Sequence, residues 1–240
     1  MNWFINWFNS PYYHILYKNR DEKEAHLFID NLMSYCQIPK ASKLLDVACG
    51  KGRHAIYFNK KGLDVIGIDL SKNSINIANE STNSTLKFKV HDMRNVFLKN
   101  KFEVVVNLFT SFGYFENDND DQRALNAMSS NLKKEGLLII DFMNVTRIIK
   151  NLIICEEKNI EGVNFKIRRN FKDNYITKNI SFIDNLKTYH FKETVKALTL
   201  NDFSKYIANA GLEIIDVFGS YNLQKFNEEN SERLIIICKK

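Results

Sequence analysis

The stretch Lys43-Leu-Leu-Asp-Val-Ala-Cys-Gly-Lys-Gly-Arg-His-Ala-Ile-Tyr-Phe-Asn-Lys-Lys-Gly-Leu-Asp-Val-Ile-Gly-Ile-Asp-Leu70 decides how the rest of the chain is read. Leu44, Leu45 and Val47 form a short apolar run that stops at Gly50 and Gly52, where the missing Cβ lets the backbone turn and come close to a ligand. From Arg53 the apolar residues Ala55, Ile56 and Phe58 have helical spacing up to the stop at Gly62. Leu63, Val65, Ile66 and Ile68 then read as a second buried strand ending at Asp69. This is a βαβ unit with its loop at the carboxyl end of the first strand, where open α/β sheets bind ligands.

Charge narrows the ligand. The spacing Gly50-x-Gly52-x-x-Ala55 formally fits a dinucleotide fingerprint, which seats a pyrophosphate on the loop and the following helix. Asp46, four residues before Gly50, argues against that, because an ionised carboxylate there repels phosphate and attracts an ammonium group. A ligand with a positive end and no phosphate fits better, and Asp69 at the second strand's end is placed to accept from ribose hydroxyls.

Leu44-Leu-Asp-Val-Ala-Cys-Gly-Lys-Gly52 and Val65-Ile-Gly-Ile-Asp-Leu-Ser71 resemble the first two motifs of the class I S-adenosylmethionine-dependent methyltransferases. The resemblance continues past the third strand (Leu86, Phe88, Val90), where Asp92 matches the position that accepts from the adenine amine and Met93 the one that offers a backbone amide. It implies S-adenosyl-L-methionine as cofactor, held by Asp46, Ala48, Gly50, Gly52, Asp69, Leu70, Asp92, Met93, Asn107 and Leu108, with Tyr13 and Arg20 reaching in from the N-terminal segment. His91 reads as a neighbour in this loop.

The fourth strand, Phe102 to Asn107, runs into Leu108-Phe-Thr-Ser-Phe-Gly-Tyr-Phe115. Enzymes that methylate exocyclic amines of bases carry an Asn/Asp-Pro-Pro-aromatic stretch here, and this chain has no proline at that point. The loop resembles that of the small-molecule and uncharacterised bacterial members, with Phe109, Phe112, Tyr114 and Phe115 expected to wall the substrate pocket. Direct displacement at an activated methyl carbon needs positioning more than proton transfer. Tyr114, His190 and Glu193 are the candidates if a proton must leave, and no catalytic residue follows from sequence.

The expected architecture is α/β: a Rossmann-like, mostly parallel seven-stranded sheet with helices on both faces, an N-terminal helical lid and an antiparallel β insert. Residues 1–37 form the helical cap or lid, 38–143 the cofactor-binding core, 144–196 the insert and 197–240 the last part of the core sheet. Inside these, Asp120 to Leu132 reads as a helix, Gly136 to Phe142 as the fifth strand, Leu198 to Gly211 as a helix, and Leu212 to Phe218 with Arg233 to Cys238 as a terminal pair of strands. The insert leaves the sheet on the ligand edge, so it is expected to form the substrate-side wall, burying Phe165, Phe171, Phe182 and Phe191; pairing with a second copy is the alternative use.

Composition excludes several classes. The chain has 240 residues, 45% hydrophobic and 26% charged, with a net charge of +6. Its lysines occur singly or in pairs, so the surface reads as solvated and basic, without the clustered footprint of a nucleic-acid binder. Four cysteines (Cys36, Cys49, Cys155, Cys238) have no CxxC or metal-ligand spacing, which predicts no disulfide framework and no zinc, and a cytoplasmic setting. The apolar start lacks a basic n-region, and no apolar run approaches the about 20 residues of a membrane span. Two other functions share these features: an NAD(P)-dependent oxidoreductase on the same topology, and a cofactor-binding protein without turnover.

Overall fold

The computed structural model describes residues 3–18 and 22–240. Three helices lead the chain, α1 (Trp3–Phe8), α2 (Pro11–Leu16) and α3 (Glu22–Tyr35). Ser10 caps α2 by accepting from the Tyr12 amide at 3.2 Å, and Pro11 fills the first helical position, where no amide is needed. The core then alternates: β1 (Lys43–Val47), α4 (Arg53–Lys60), β2 (Asp64–Asp69), α5 (Lys72–Ala78), β3 (Leu86–Val90), β4 (Phe102–Asn107), α6 (Asp118–Asn131) and β5 (Leu132–Met143). After α7 (Val145–Lys150) come β6 (Cys155–Ile160), β7 (Val163–Lys172), β8 (Tyr175–Asp184) and β9 (Lys187–Lys196), then α8 (Leu200–Asn209), β10 (Glu213–Phe218) and β11 (Arg233–Lys239).

The expected seven-stranded sheet is present, in the order β10-β11-β5-β4-β1-β2-β3. The five strands from β3 to β5 run parallel, while β11 is antiparallel to both β5 and β10. From β1 the chain winds outward through β2 and β3, then returns to lay β4 on β1's other side. That reversal opens a crevice outside the carboxyl ends of β1 and β4. Successive residues of β1 feed opposite faces: Leu44 lies in the core under α3 and α4, Leu45 in the core under α6 and α8. Burial on both faces is why these strands read as continuous apolar runs.

The insert is a separate antiparallel sheet, β6-β7-β8-β9, joined by three two-residue hairpins. Both residues of each loop have positive φ: Glu161 and Gly162, Asp173 and Asn174, Asn185 and Leu186. That backbone matches the right-handed twist of the flanking strands. The sheet's inner face buries Val163, Phe165, Ile167, Ile180 and Phe182 against Trp7 and Leu16 of α1 and α2. At ~1.5–3 kcal/mol per fully buried large apolar side chain, this third core holds the N-terminal helices to the insert.

Several boundaries differ from expectation. β5 starts at Leu132 because the Lys-Lys-Glu-Gly segment continues as strand past a register shift against β4. α7 and β6 had no sequence signal: α7 is six residues long, and β6 is a polar edge strand with no apolar alternation. Phe165 and Phe182 are buried as expected, but Phe171 is 42% exposed, since it sits beyond the stretch covered by α1 and α2.

Candidate cofactor and acceptor site

The loop from Ala48 to Gly52 turns through left-handed backbone at Ala48 (φ 61°), Gly50 (φ 57°) and Gly52 (φ 85°). A Cβ on Gly50 would meet nothing within 4 Å, so that position opens to space. A Cβ on Gly52 would lie 2.6 Å from the Phe88 ring. Gly52 is therefore a packing glycine that seats the loop on β3, and it does not line the cavity. The Gly50 amide donates to Asp69 Oδ2 at 2.8 Å, and the Ser71 amide to Asp69 Oδ1 at 2.7 Å. Burial pushes the Asp69 carboxyl up, opposed by these backbone donors.

A cavity of about 550 Å³ opens over the loop at the crevice between β1 and β4. It collects most of the residues expected there: Tyr13, Ala48, Gly50, Asp69, Leu70, Asp92, Met93, Leu108, Phe109 and Tyr114. Arg20 lies outside the described residues. Phe115, expected on the wall of the pocket after β4, is there too; sequence reasoning did not place Arg53, His54 or Arg94 on this wall, nor Phe4, Phe8 and His14 from α1 and α2. Those aromatics carry an apolar signal that equally describes core.

Three further expectations change besides Gly52. Phe112 is fully buried against Phe203 (ring centroids 5.6 Å apart), because the loop after β4 turns it into the core; it cannot wall a substrate pocket. Asn107 is also behind the wall, its Nδ2 donating to the Val47 carbonyl at 3.0 Å and leaving its buried Oδ1 without a partner. Asp46 is 1% exposed and does not line the cavity. Burial first, then the charge of Asp69, pushes its carboxyl up to about 8, against the Ala55 amide and Arg53, and its Oδ2 has no partner. The electrostatic case against a pyrophosphate therefore loses its ionised carboxylate at the loop's mouth.

Asp92 behaves oppositely. Burial raises its carboxyl, but the Arg94 guanidinium, 2.6 Å away, outweighs this and holds it below the usual carboxylate range. Arg94 also bonds Asp120 at 2.8 Å and stacks over Phe115, tying the loop after β3 to α6. Among the proton-transfer candidates, Tyr114 reaches the cavity with its hydroxyl donating to the Thr110 carbonyl. Glu193 accepts from Trp7 Nε1 (2.6 Å) and the Tyr17 hydroxyl (2.7 Å), and His190 is exposed on the insert. Neither lines the cavity. No insert residue lines it: the insert shapes the site by packing against α1 and α2, whose Phe8 and Tyr13 do, and by the Lys196 amide bonding the Gly113 carbonyl of the loop after β4 at 2.8 Å.

The far wall is the turn after β4. Phe109 (φ 63°) and Thr110 (φ 60°) are consecutive non-glycine residues in the left-handed region, each at a cost of ~1–3 kcal/mol that the surroundings must offset. The Phe109 ring faces the cavity under the Arg53 guanidinium, 4.9 Å from its centroid.

Among the described residues no helix is long and apolar enough to cross a membrane, and no cluster of three or more His, Cys, Asp and Glu has metal-binding geometry. Residues 44–136 match the family model described as a methyltransferase domain. A dTDP-3-amino-3,4,6-trideoxy-alpha-D-glucopyranose N,N-dimethyltransferase of Streptomyces venezuelae is 33% identical over 103 residues, 43% of each chain. A glycine/sarcosine N-methyltransferase of Aphanothece halophytica is 24% identical over 229 residues, 92% of this chain and 83% of the relative. The chain spans about half the length of the first curated relatives it matches. In fold it superposes on an S-adenosylmethionine-dependent methyltransferase from Clostridium acetobutylicum with a TM-score of 0.81 at 22% identity, over 98% of both chains. The glycine loop, Asp46 within β1, Asp69 at the end of β2 and Asp92 just past β3 all lie in residues 44–136, the stretch that matches the methyltransferase domain.

Proposed function

We propose that this protein transfers the methyl group of S-adenosyl-L-methionine to a small-molecule acceptor, an amine in the first instance. The observation that carries the reading is a cavity over a glycine loop whose Gly50 is open to space, lined by Asp69 at the end of β2 and Asp92 just past β3. The residues fit the cofactor's chemistry. Asp69 accepts one bond on each oxygen, from the Gly50 and Ser71 amides, and keeps lone pairs for ribose hydroxyls, while Asp92 lines the same cavity with both oxygens already accepting from Arg94. When bound, S-adenosylmethionine supplies a methyl carbon activated by its sulfonium.

What the chain itself adds is position and dryness. Tyr13, Phe8, Tyr114 and Phe109 enclose the part of the cavity beyond the glycine loop, and an acceptor held there meets the cofactor without bulk water. The two N-methyltransferase relatives support an amine. A cytoplasmic setting belongs to the same proposal, supported by four free thiols; pairing of two copies through the insert is a secondary part, read by sedimentation. The deciding experiment measures S-adenosylhomocysteine release with a panel of amino-sugar nucleotides, glycine, sarcosine and phenols, beside calorimetry with S-adenosylhomocysteine and NADH. Binding of S-adenosylhomocysteine with methyl transfer to a panel amine is expected; tight NADH binding with none for S-adenosylhomocysteine would overturn the reading.

A further inference from the structure

The left-handed turn at Phe109-Thr110 is held from behind by residues distant in sequence. Asp141 on β5 is 1% exposed, and it grips the turn twice: its Oδ2 accepts from the Phe109 amide at 2.8 Å, and its carbonyl accepts from the Thr110 amide at 2.9 Å. Arg233, the first residue of β11, donates Nε to Asp141 Oδ1 at 2.7 Å and Nη2 to Thr110 Oγ1 at 3.0 Å. The Tyr221 hydroxyl donates to Asp141 Oδ2 at 3.1 Å, and the Arg233 guanidinium lies over both the Phe109 and Tyr221 rings, 5.7 Å from each centroid. None of the three lines the cavity, while Leu108, Phe109 and Ser111 do.

We propose that Asp141, Arg233 and Tyr221 are positioning residues for methyl transfer: they hold the Phe109 ring at the wall where acceptor and cofactor meet. The proposal rests on the function just proposed for this cavity. A purely structural reading would make the ion pair a staple between β5 and β11. Those strands are already paired over seven consecutive positions, Arg233 with Met143 through Lys239 with Leu137, so the staple adds little. The clamp's remaining bonds go to the turn, where they hold the Phe109 and Thr110 amides and the Thr110 hydroxyl, while the Tyr114 hydroxyl, Ser111 and Asn107 bond the turn's carbonyls. Strain that the surroundings hold in place is what keeps a wall residue in one conformation while the cavity fills and empties.

The test places a trifluoromethyl-phenylalanine at position 109 and reads its fluorine NMR line in the full chain, with and without S-adenosylhomocysteine. Arg233→Lys keeps a charge on Asp141 but cannot bridge to Thr110 with the same fork; Tyr221→Phe removes one hydroxyl and decides the matter if Arg233→Lys does not fold. In both variants the line at 109 is expected to broaden or split and to lose its response to S-adenosylhomocysteine. The dissociation constant should stay within about threefold, because Asp69 and Gly50 are untouched. With the panel compound that the parent methylates, kcat is expected to fall about tenfold or more at a nearly unchanged KM for S-adenosylmethionine, in line with the cost of small misplacements at a reacting centre. A sharp, parent-like line and a parent-like kcat in the folded variants would overturn the proposal and leave the ion pair as a staple. A parent that binds no S-adenosylhomocysteine would overturn the reading of the cavity instead, and the proposal with it.

Discussion

The protonation of Asp46 gives the sharpest test of the buried electrostatics. Asp46→Asn is close to a mimic of the protonated acid: the amide oxygen still accepts from Ala55, and the amide nitrogen takes the place of the Oδ2 that has no partner. The folded-state carboxyl sits at about 8 against an ordinary value of 3.8, with burial the largest cause and Asp69 the second. Because the folded value lies above the unfolded one, the group's stabilising contribution is fully present below the unfolded pKa and is lost as pH rises through the folded one. Some four units at ~1.4 kcal/mol each set a ceiling near 6 kcal/mol, and structural relaxation brings the expected effect to a few kcal/mol. Urea unfolding of the ligand-free parent and variant from pH 5 to 9 measures it. The asparagine variant should gain on the parent by at least ~2 kcal/mol over that range, most of the change falling between pH 5 and 8. The constant cost of an unpaired amide does not enter, since only the slope is compared. Parallel pH profiles would show that Asp46 is ionised in the folded chain and that its surroundings are more polar than the geometry implies.

Asp69→Ala should weaken S-adenosylhomocysteine binding by ~1–3 kcal/mol in calorimetry, the cost of leaving donors without their acceptor, with the fold retained in circular dichroism. Gly52→Ala places a Cβ 2.6 Å from Phe88 at φ 85° and should destabilise the protein by ~2–4 kcal/mol in urea, whereas the same change at the open Gly50 acts through backbone strain alone and should cost less. Glu193→Gln removes the charged acceptor shared by Trp7 and Tyr17 and leaves the part-buried Lys178, 3.6 Å away, without its counter-charge. Tryptophan emission should shift to the red as α1 loosens from the insert. Replacing residues 155–195 by a short linker should expose Trp7 and abolish turnover while S-adenosylhomocysteine still binds. Lys196 must be kept, because it bonds the fully buried Asp121 at 2.5 Å.

The parts of this fold legible in the sequence are those whose cause is local. The run Leu44 to Val47, the glycines that follow, and Asp69 at the end of a second apolar run state the βαβ unit within 28 residues, and β4 falls where its valines predict. Asp69, Asp92 and Gly50 face the cavity because a strand's end and a turn's φ are properties of a few neighbouring residues. The misplacements share another cause. Phe112 and Phe109 are both aromatics of one loop, and which of them faces the cavity depends on the left-handed turn at Phe109-Thr110, a conformation that neither residue favours by itself. The groups that impose it lie 32 residues downstream at Asp141 and more than a hundred away at Arg233, brought together by the antiparallel register that sets Ile235 against Asp141. A buried Asp–Arg pair leaves no periodic mark in either strand. The insert misleads in the same way: the point where it leaves the sheet is local information, but its contribution to the cavity passes through Trp7 and Leu16, which it meets only after both ends of the chain segment have folded back. Side chains set by long-range register are therefore where substrate specificity is hardest to read from this sequence, and the Phe109 wall, held by such a register, is where acceptor choice should be altered by substitution.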